Sequence, residues 1–492
     1  MRRIAIVPLV TLGLGAVVFA AQWTGTQPPP DHLADGFEAI TEQDAKRHLE
    51  YLAGPETQGR GSGQPGYQKA AEYVAARFKE YGLKPGGENG TYFQHGSLYR
   101  SHVDSGYVRV GGETVKAGKD LNFGEVYHPA SGEAPIVLLR VRDKGSDLPE
   151  GTNLKGAIVL LSGPGVDASI RIDVRQQDPK MILNVRSDVP KTVWSIRQRA
   201  PERVRLQGTI SETAAGALAK AGGYTGFVSG INGLVGPFQV KTLGQASFDL
   251  KVTSGEVKVP NVIGILPGTD ASVGQEHVAL GAHLDHMGTD GEQTWWGADD
   301  DGSGSTALIE AAKAFSKNPR KPKRSVVFLA FYGEEMGLIG STLYVNNPVL
   351  PIEKMVAEFQ MDMVGRNSYG IQNGDPNRVD KEEENRDTMR LVGSKRLSTE
   401  LHQAVLDANR HVGFRFLYDS EDLWQRSDHY VFASRGVPIA FLFDGFTPDY
   451  HQPTDTVDKI NFTKLANAAR LFYLAAFDVA NRDKPVAKDV KE

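Results

Sequence analysis

Between residues 252 and 482 short apolar runs alternate with longer segments of helical spacing. NVIGILPG (261–268), HVALGAH (277–283), SVVFLAFYG (325–333), MVAEFQMD (355–362) and VPIAFLFDG (437–445) have the length of strands and few polar interruptions, the pattern of strands covered on both faces. GSTALIEAAKAFSK (304–317), TMRLVGSKRLSTELHQAVLDANR (388–410) and FTKLANAARLFYLAAFDVANR (462–482) space their apolar residues at helical intervals and predict helices. Strands alternating with helices predict an α/β fold, a mostly parallel mixed sheet flanked by helices.

Upstream the pattern changes twice. TEQDAKRHLEYLAG (41–54) and YQKAAEYVAARFKEYG (67–82) read as helices joined by PETQGRGSGQP (55–65). Gly61, Gly63 and Gly66 in that joint form G-x-G-x-x-G, but a helix precedes it where a dinucleotide site needs a strand. The reading is therefore a plain glycine loop. From residue 119 to 250, APIVLLRV and GAIVLLSG read as short buried strands and AAGALAKAGGYTGFVSG as helix, turn and strand, which predicts a separate β-rich insert. The arginines scattered over 170–206, including Arg171, Arg175, Arg197, Arg199, Arg203 and Arg205, read as a solvated face. The charges of NPRKPKR (318–324) are expected to face water as well.

The first residues carry an address. MRR, the apolar run 4–19 and Val18-Phe19-Ala20 read as a signal peptide, with export to the periplasm or the medium. An uncleaved anchor is the competing reading, since the run is near the lower end of spanning length. TGTQPPPDH reads as a linker.

Composition narrows the chemistry. At 492 residues the chain exceeds one ordinary domain. A net charge of −5 gives no general electrostatic reason to bind nucleic acid, and no stable membrane partner is expected once the leader is removed. Having no cysteine, the chain has no disulfide, no thiolate metal site and no cysteine nucleophile, so a metal would be held by nitrogen and oxygen.

Five clusters remain: GAHLDHMG, GADDDGSG, YGEEMG, FQMDMVG and DYHQPTDT, between Gly281 and Thr456. Each follows an apolar run, and in open α/β sheets ligands bind beyond the carboxyl ends of the strands. Buried acids and imidazoles need partners, and a metal ion serves several at once. Two imidazoles and three carboxylates, one of them shared, suit two zinc ions with room for a water between them. Ser427-Asp428-His429 is no serine-hydrolase triad, because consecutive residues cannot form one and no G-x-S-x-G elbow is present. HExxH is absent too. His286 lies near these clusters but outside their pattern.

His283-x-Asp285, Asp300 before Ser303-Gly304, Glu334-Glu335, Asp362 and His451, in that order, resemble the M28 family of co-catalytic zinc peptidases. GRGSGQPGYQKAAEYVAARFKEYGLKPGG (59–87) resembles the start of that fold in larger members, and 119–250 resembles the protease-associated domain those members insert. The resemblance implies two zinc ions per chain, one on His283, Asp300 and Asp362 and one on Asp300, Glu335 and His451. Glu334 would be the general base acting on a metal-bridging water. Asp285 would accept the second N–H of His283, and Tyr450 would donate to the developing oxyanion. Asp300 is taken as the bridge because the family's aspartate stands three before the serine, with Asp299 as the alternative. Asp301 or Ser303 could simply cap the following helix.

The organisation expected is signal peptide 1–20, linker 21–35, N-terminal part of the peptidase 36–118, protease-associated-like insert 119–250, zinc peptidase 251–483 and charged tail 484–492. The function implied is an exported di-zinc exopeptidase acting on peptides with a free N-terminus. A carboxypeptidase or dipeptidase of the same family and a catalytically silent receptor-like protein are the alternatives. Some relatives use one zinc to cyclise N-terminal glutamine.

Overall fold

The five apolar runs become neighbours in one sheet. The computed structural model describes residues 23, 26–124, 126–145, 147–191, 194–199, 206–227, 236–367, 385–418 and 420–490; the leader expected at 1–20 lies outside them. The His277–His283 strand lies between Ser325–Phe331 and Met355–Met361, parallel to both, and Met355–Met361 is parallel to Ile439–Phe443. Four carboxyl ends therefore open on one edge, followed in the chain by Leu284, Tyr332, Asp362 and Asp444. Helices Gly302–Lys317 and Phe462–Asn481 cover one face, burying Leu308, Phe315, Leu465 and Phe472 completely. Each such side chain contributes about 1.5–3 kcal/mol of transfer free energy. The other face is closed by Tyr344 and Phe432.

The helix expected over 388–410 is two elements. Thr388–Val392 is a strand antiparallel to Ile439–Phe443, and the helix is Thr399–Asn409, capped by the Ser398 side chain. Gly393 separates them at φ 71°, with the Trp424 ring where a Cβ would stand, a position only glycine fills without strain. Thr388–Val392 is buried throughout, and helical spacing alone does not tell a short buried strand from a helical turn.

The sheet continues beyond these strands. Phe238–Leu266 pairs with Ser325–Phe331 at one end, with Ala130–Val141 at the other, and with Phe93–Val110 in between, from Val262↔Phe93 to Ala246↔Val110. Past it, Ala130–Val141, Ile158–Ser162, Met181–Arg186 and Leu206–Ser211 run parallel. Val108, Phe123, Ile136, Leu160, Leu183 and Leu218 belong to a second core, with Glu212–Ala221 as its helix, while Ala168–Gln176 packs Ile170 and Val174 against Leu139 and Leu161 in another. The region read as β-rich carries these strands with two helices and is joined to the first set of strands by two long paired ones. No described helix is long and apolar enough to cross a membrane.

One surface expectation is corrected. Arg324 of NPRKPKR is buried, paired with Glu276 at 2.7 Å and bonded to the Arg482 carbonyl. In the insert Arg175, Arg197 and Arg199 are exposed and Arg171 is half-buried, while Arg203 and Arg205 lie outside the described residues.

Candidate metal centre

The loop before the Gly302–Lys317 helix carries three aspartates, and their partners separate them. Asp299 Oδ1 accepts the Gly365 N–H at 2.9 Å. Asp301 accepts from Gly304 at 2.8 Å as the helix cap, and also from the backbone N–H groups of His283 and Met363. Backbone donors thus hold both oxygens of Asp301 and one of Asp299, whose Oδ2 is buried without a hydrogen bond. Asp300 alone faces the imidazoles, with Oδ1 3.3 Å from His283 Nε2 and Oδ2 3.1 Å from His451 Nε2. Asp301 lies within reach of His283 and Asp362, but its three N–H partners leave it poorly placed to ligate.

The other predicted residues gather around Asp300. Asp362 Oδ1 is 3.4 Å from His283 Nε2, and Glu335 Oε2 is 3.1 Å from His451 Nε2. Glu334 Oε2 stands 4.0 Å from His283 Nε2, beside the group. His286, outside the sequence pattern, is here too: its Nδ1 is 2.7 Å from Glu335 Oε1 and 3.7 Å from Asp300 Oδ2. Asp300 Oδ2, Glu335 Oε1 and both nitrogens of His286 are buried without an aligned hydrogen bond. Close but misaligned nitrogen and oxygen atoms are what converging ligands present, and buried polar atoms rarely stay unpaired. The nitrogen and carboxylate donor set fits zinc.

Protonation follows the same geometry. Burial disfavours charge on His283, yet Asp362, Glu334 and Asp300 hold its pKa well above the usual value. His451, opposed by burial but bonded to Asp300 and Glu335, is pushed up to about 10. Burial would raise Glu335 and Asp300, but the surrounding imidazoles hold both below the ordinary carboxylate value. Glu334 goes the other way: burial, helped by Asp362 and Asp428, raises it well above. One carboxylate of the Glu334-Glu335 pair is thus matched to cations and the other to a proton.

Much of the support comes from residues that were read as bland. Arg60, in the glycine loop, is fully buried and donates to the carbonyls of Leu52, Leu284, Trp296 and Gly297 at 2.6–2.9 Å. It also reaches the Asp300 carbonyl at 3.4 Å. Ser62 donates to Asp285 Oδ2 and accepts from the Gly333 N–H. Asp455 accepts from the Asp299 and Asp300 N–H groups, and Arg366 with Lys459 pins Asp449, two residues before His451.

Asp285 departs from its expected role. The Nδ1–H of His283 donates to the backbone carbonyl of Asp285 at 3.0 Å, whereas the carboxylate is 3.8 Å away and accepts from the Glu334 N–H and Ser62. A carbonyl is an ordinary partner for this purpose and leaves Nε2 free. Asp285 instead anchors the backbone of Glu334. Ser427, Asp428 and His429 are buried, with His429 stacked on Phe441 at 4.3 Å, so His429 packs and faces no substrate.

The centre opens into a cleft lined by Glu334, Tyr450, Leu423, Phe443, Phe446 and Arg426 among others. Tyr450 stacks on His451 at 3.8 Å, and Arg426 lines the same cleft. A larger cleft of ≈ 1060 Å³ lies between residues of the 119–250 region such as Lys119 and Lys191 and the 290–292 turn. It contains none of the clustered ligands, so chemistry and size point to different places, and the chemistry decides.

Residues 261–476 match the model of peptidase family M28. That stretch, a little under half of the chain, is similar to the M28 peptidases. Over 234 residues it is 28% identical to a probable leucine aminopeptidase of Arthroderma otae, covering 45% of this chain and 58% of that protein. The chain thus spans a little over half the length of that curated relative. It is 25% identical over 452 residues to a probable lipoprotein aminopeptidase, LpqL, of Mycobacterium tuberculosis, covering 86% and 82% of the two chains. Its fold is similar to that of BSAP, a zinc aminopeptidase from Bacillus subtilis, with TM-score 0.57, 19% identity and coverage of 92% and 99%. All five expected ligands, Glu334 and Tyr450 lie inside the stretch that matches M28; Arg60 and Ser62 lie outside it.

Proposed function

We propose that this protein is an exported di-zinc aminopeptidase. The observation that carries the reading is Asp300, whose two oxygens each face a different histidine, at 3.3 and 3.1 Å. His283, Asp300 and Asp362 would hold one ion, and Asp300, Glu335 and His451 the other. Bound zinc supplies Lewis acidity, lowering the pKa of water and polarising the carbonyl under attack.

The chain's own groups do the rest. Glu334, raised well above the usual carboxylate value chiefly by burial, takes the proton from the attacking water and delivers it to the leaving amine. Tyr450, oriented by stacking on His451, donates its O–H to the oxygen that becomes negative. Leu423, Phe443 and Phe446 favour an apolar first side chain, and the carboxylates around the metals attract the free α-amino group. The 119–250 insert serves as a protease-associated-like module at the rim. The name of the lipoprotein relative agrees with export.

The test is hydrolysis of a leucine amide and its N-blocked counterpart, with and without a chelator. Cleavage of the free-amine substrate alone, lost on chelation and restored by zinc, is expected. Cleavage of only the blocked substrate would make the protein a carboxypeptidase or another activity of the family.

A further inference from the structure

His286 is not among the five ligands that the M28 resemblance implies, yet its side chain is fully buried beside the second metal position. Three observations set it apart from a packing residue. Neither ring nitrogen has an aligned hydrogen-bond partner, an expensive state for a buried imidazole. Nδ1 lies 2.7 Å from Glu335 Oε1 and 3.7 Å from Asp300 Oδ2, so the ring aims into the space those carboxylates enclose with His451. The ring also stands 5.7 Å from that of His451, centroid to centroid and inclined by 67°: two imidazoles converging on the same two carboxylates.

The backbone fixes it there. His286 N–H donates to the Arg60 carbonyl at 3.2 Å, and Arg60 is held by the surrounding carbonyls. Gly297, at φ 58°, leaves room for the ring: a Cβ there would meet the His286 ring carbons at 2.5 Å.

We propose that His286 is a ligand of the second metal ion through Nδ1, giving that ion two imidazoles and two carboxylates. The first ion then has one imidazole, from His283. The inequality has a chemical consequence. A second nitrogen donor raises affinity for zinc, cobalt or nickel over manganese or magnesium, which prefer oxygen. The two positions therefore differ in metal preference, the second being the more selective.

The inference rests on the two-metal reading above, and its test separates the two. ¹⁵N-histidine NMR of the full chain, stripped of metal and then titrated with zinc, counts metal-bound ring nitrogens. Three are expected, Nε2 of His283 and His451 and a single Nδ1 from His286, and His286→Ala removes only the Nδ1 signal. Chelator competition on that variant should show one zinc bound at least about tenfold more weakly. Two metal-bound nitrogens, both Nε2, would overturn the role of His286 and leave the centre intact. No metal-bound nitrogen at saturating zinc would overturn the centre itself. If His286→Ala does not fold, the wild-type spectrum decides alone.

Discussion

The one sheet contains two stretches of parallel strands, and only one of them carries chemistry. In the region that matches M28 the strands ending at His283, Phe331, Met361 and Phe443 lead into His283, Glu334, Glu335, Asp362 and the half-buried His451, turned toward one another. In the insert, Ala130–Val141 leads into Arg142 and Asp143, paired with each other on the surface, and Met181–Arg186 into the exposed Arg186–Asp188 pair. Both stretches offer a crevice at their carboxyl ends. An acid there becomes reactive only where burial and neighbours set its charge; solvent levels it elsewhere.

That contrast is sharpest at Asp300. Asp300→Ala removes the group shared by both ions, and turnover of a leucine amide should fall by about 10³-fold or more, the weight of several kcal/mol of transition-state stabilisation. Next is Tyr450→Phe, which takes one donor from the oxyanion and should lower kcat about 10²–10³-fold with KM little changed. A drop confined to KM would make Tyr450 a binding residue only. Arg60→Met strands several buried carbonyls at about 1–3 kcal/mol each and should lower the melting temperature sharply, with weaker zinc retention. An unchanged melting temperature would remove Arg60 from the account. At the bottom of the scale, Asp143→Asn, at the exposed Arg142–Asp143 pair, should alter neither stability nor turnover measurably, and an effect on turnover would mean that this second stretch of strands takes part in function.

How much of this was legible depended on sequence distance. His283, Glu334, Glu335, Asp362 and His451 each follow an apolar run, so a local pattern pointed at each, and their order gave the resemblance. The choice of Asp300 over Asp299 rests on spacing; in the structure it is Asp300 whose two oxygens lie within 3.3 and 3.1 Å of His283 and His451, while Asp301 is held by backbone donors. Arg60 and Ser62 were illegible. Apart from Leu52, their side-chain partners lie 223 residues or more along the chain, and a glycine-rich joint between helices gives no hint that its arginine will be buried. The 388–410 misreading has another cause, a five-residue strand whose spacing mimics a helical turn. His286 was passed over because it falls outside the family's spacing, although an imidazole within three residues of His283 was signal enough to keep it in view.

The most direct measurement is the zinc content of chelator-stripped protein after saturation and desalting, for the wild type, Asp299→Asn and Asp300→Asn in parallel. The account predicts two zincs per chain for the wild type and for Asp299→Asn, and a loss at both positions for Asp300→Asn. One zinc or none in the wild type, or a loss with Asp299→Asn while Asp300→Asn keeps both, would contradict it.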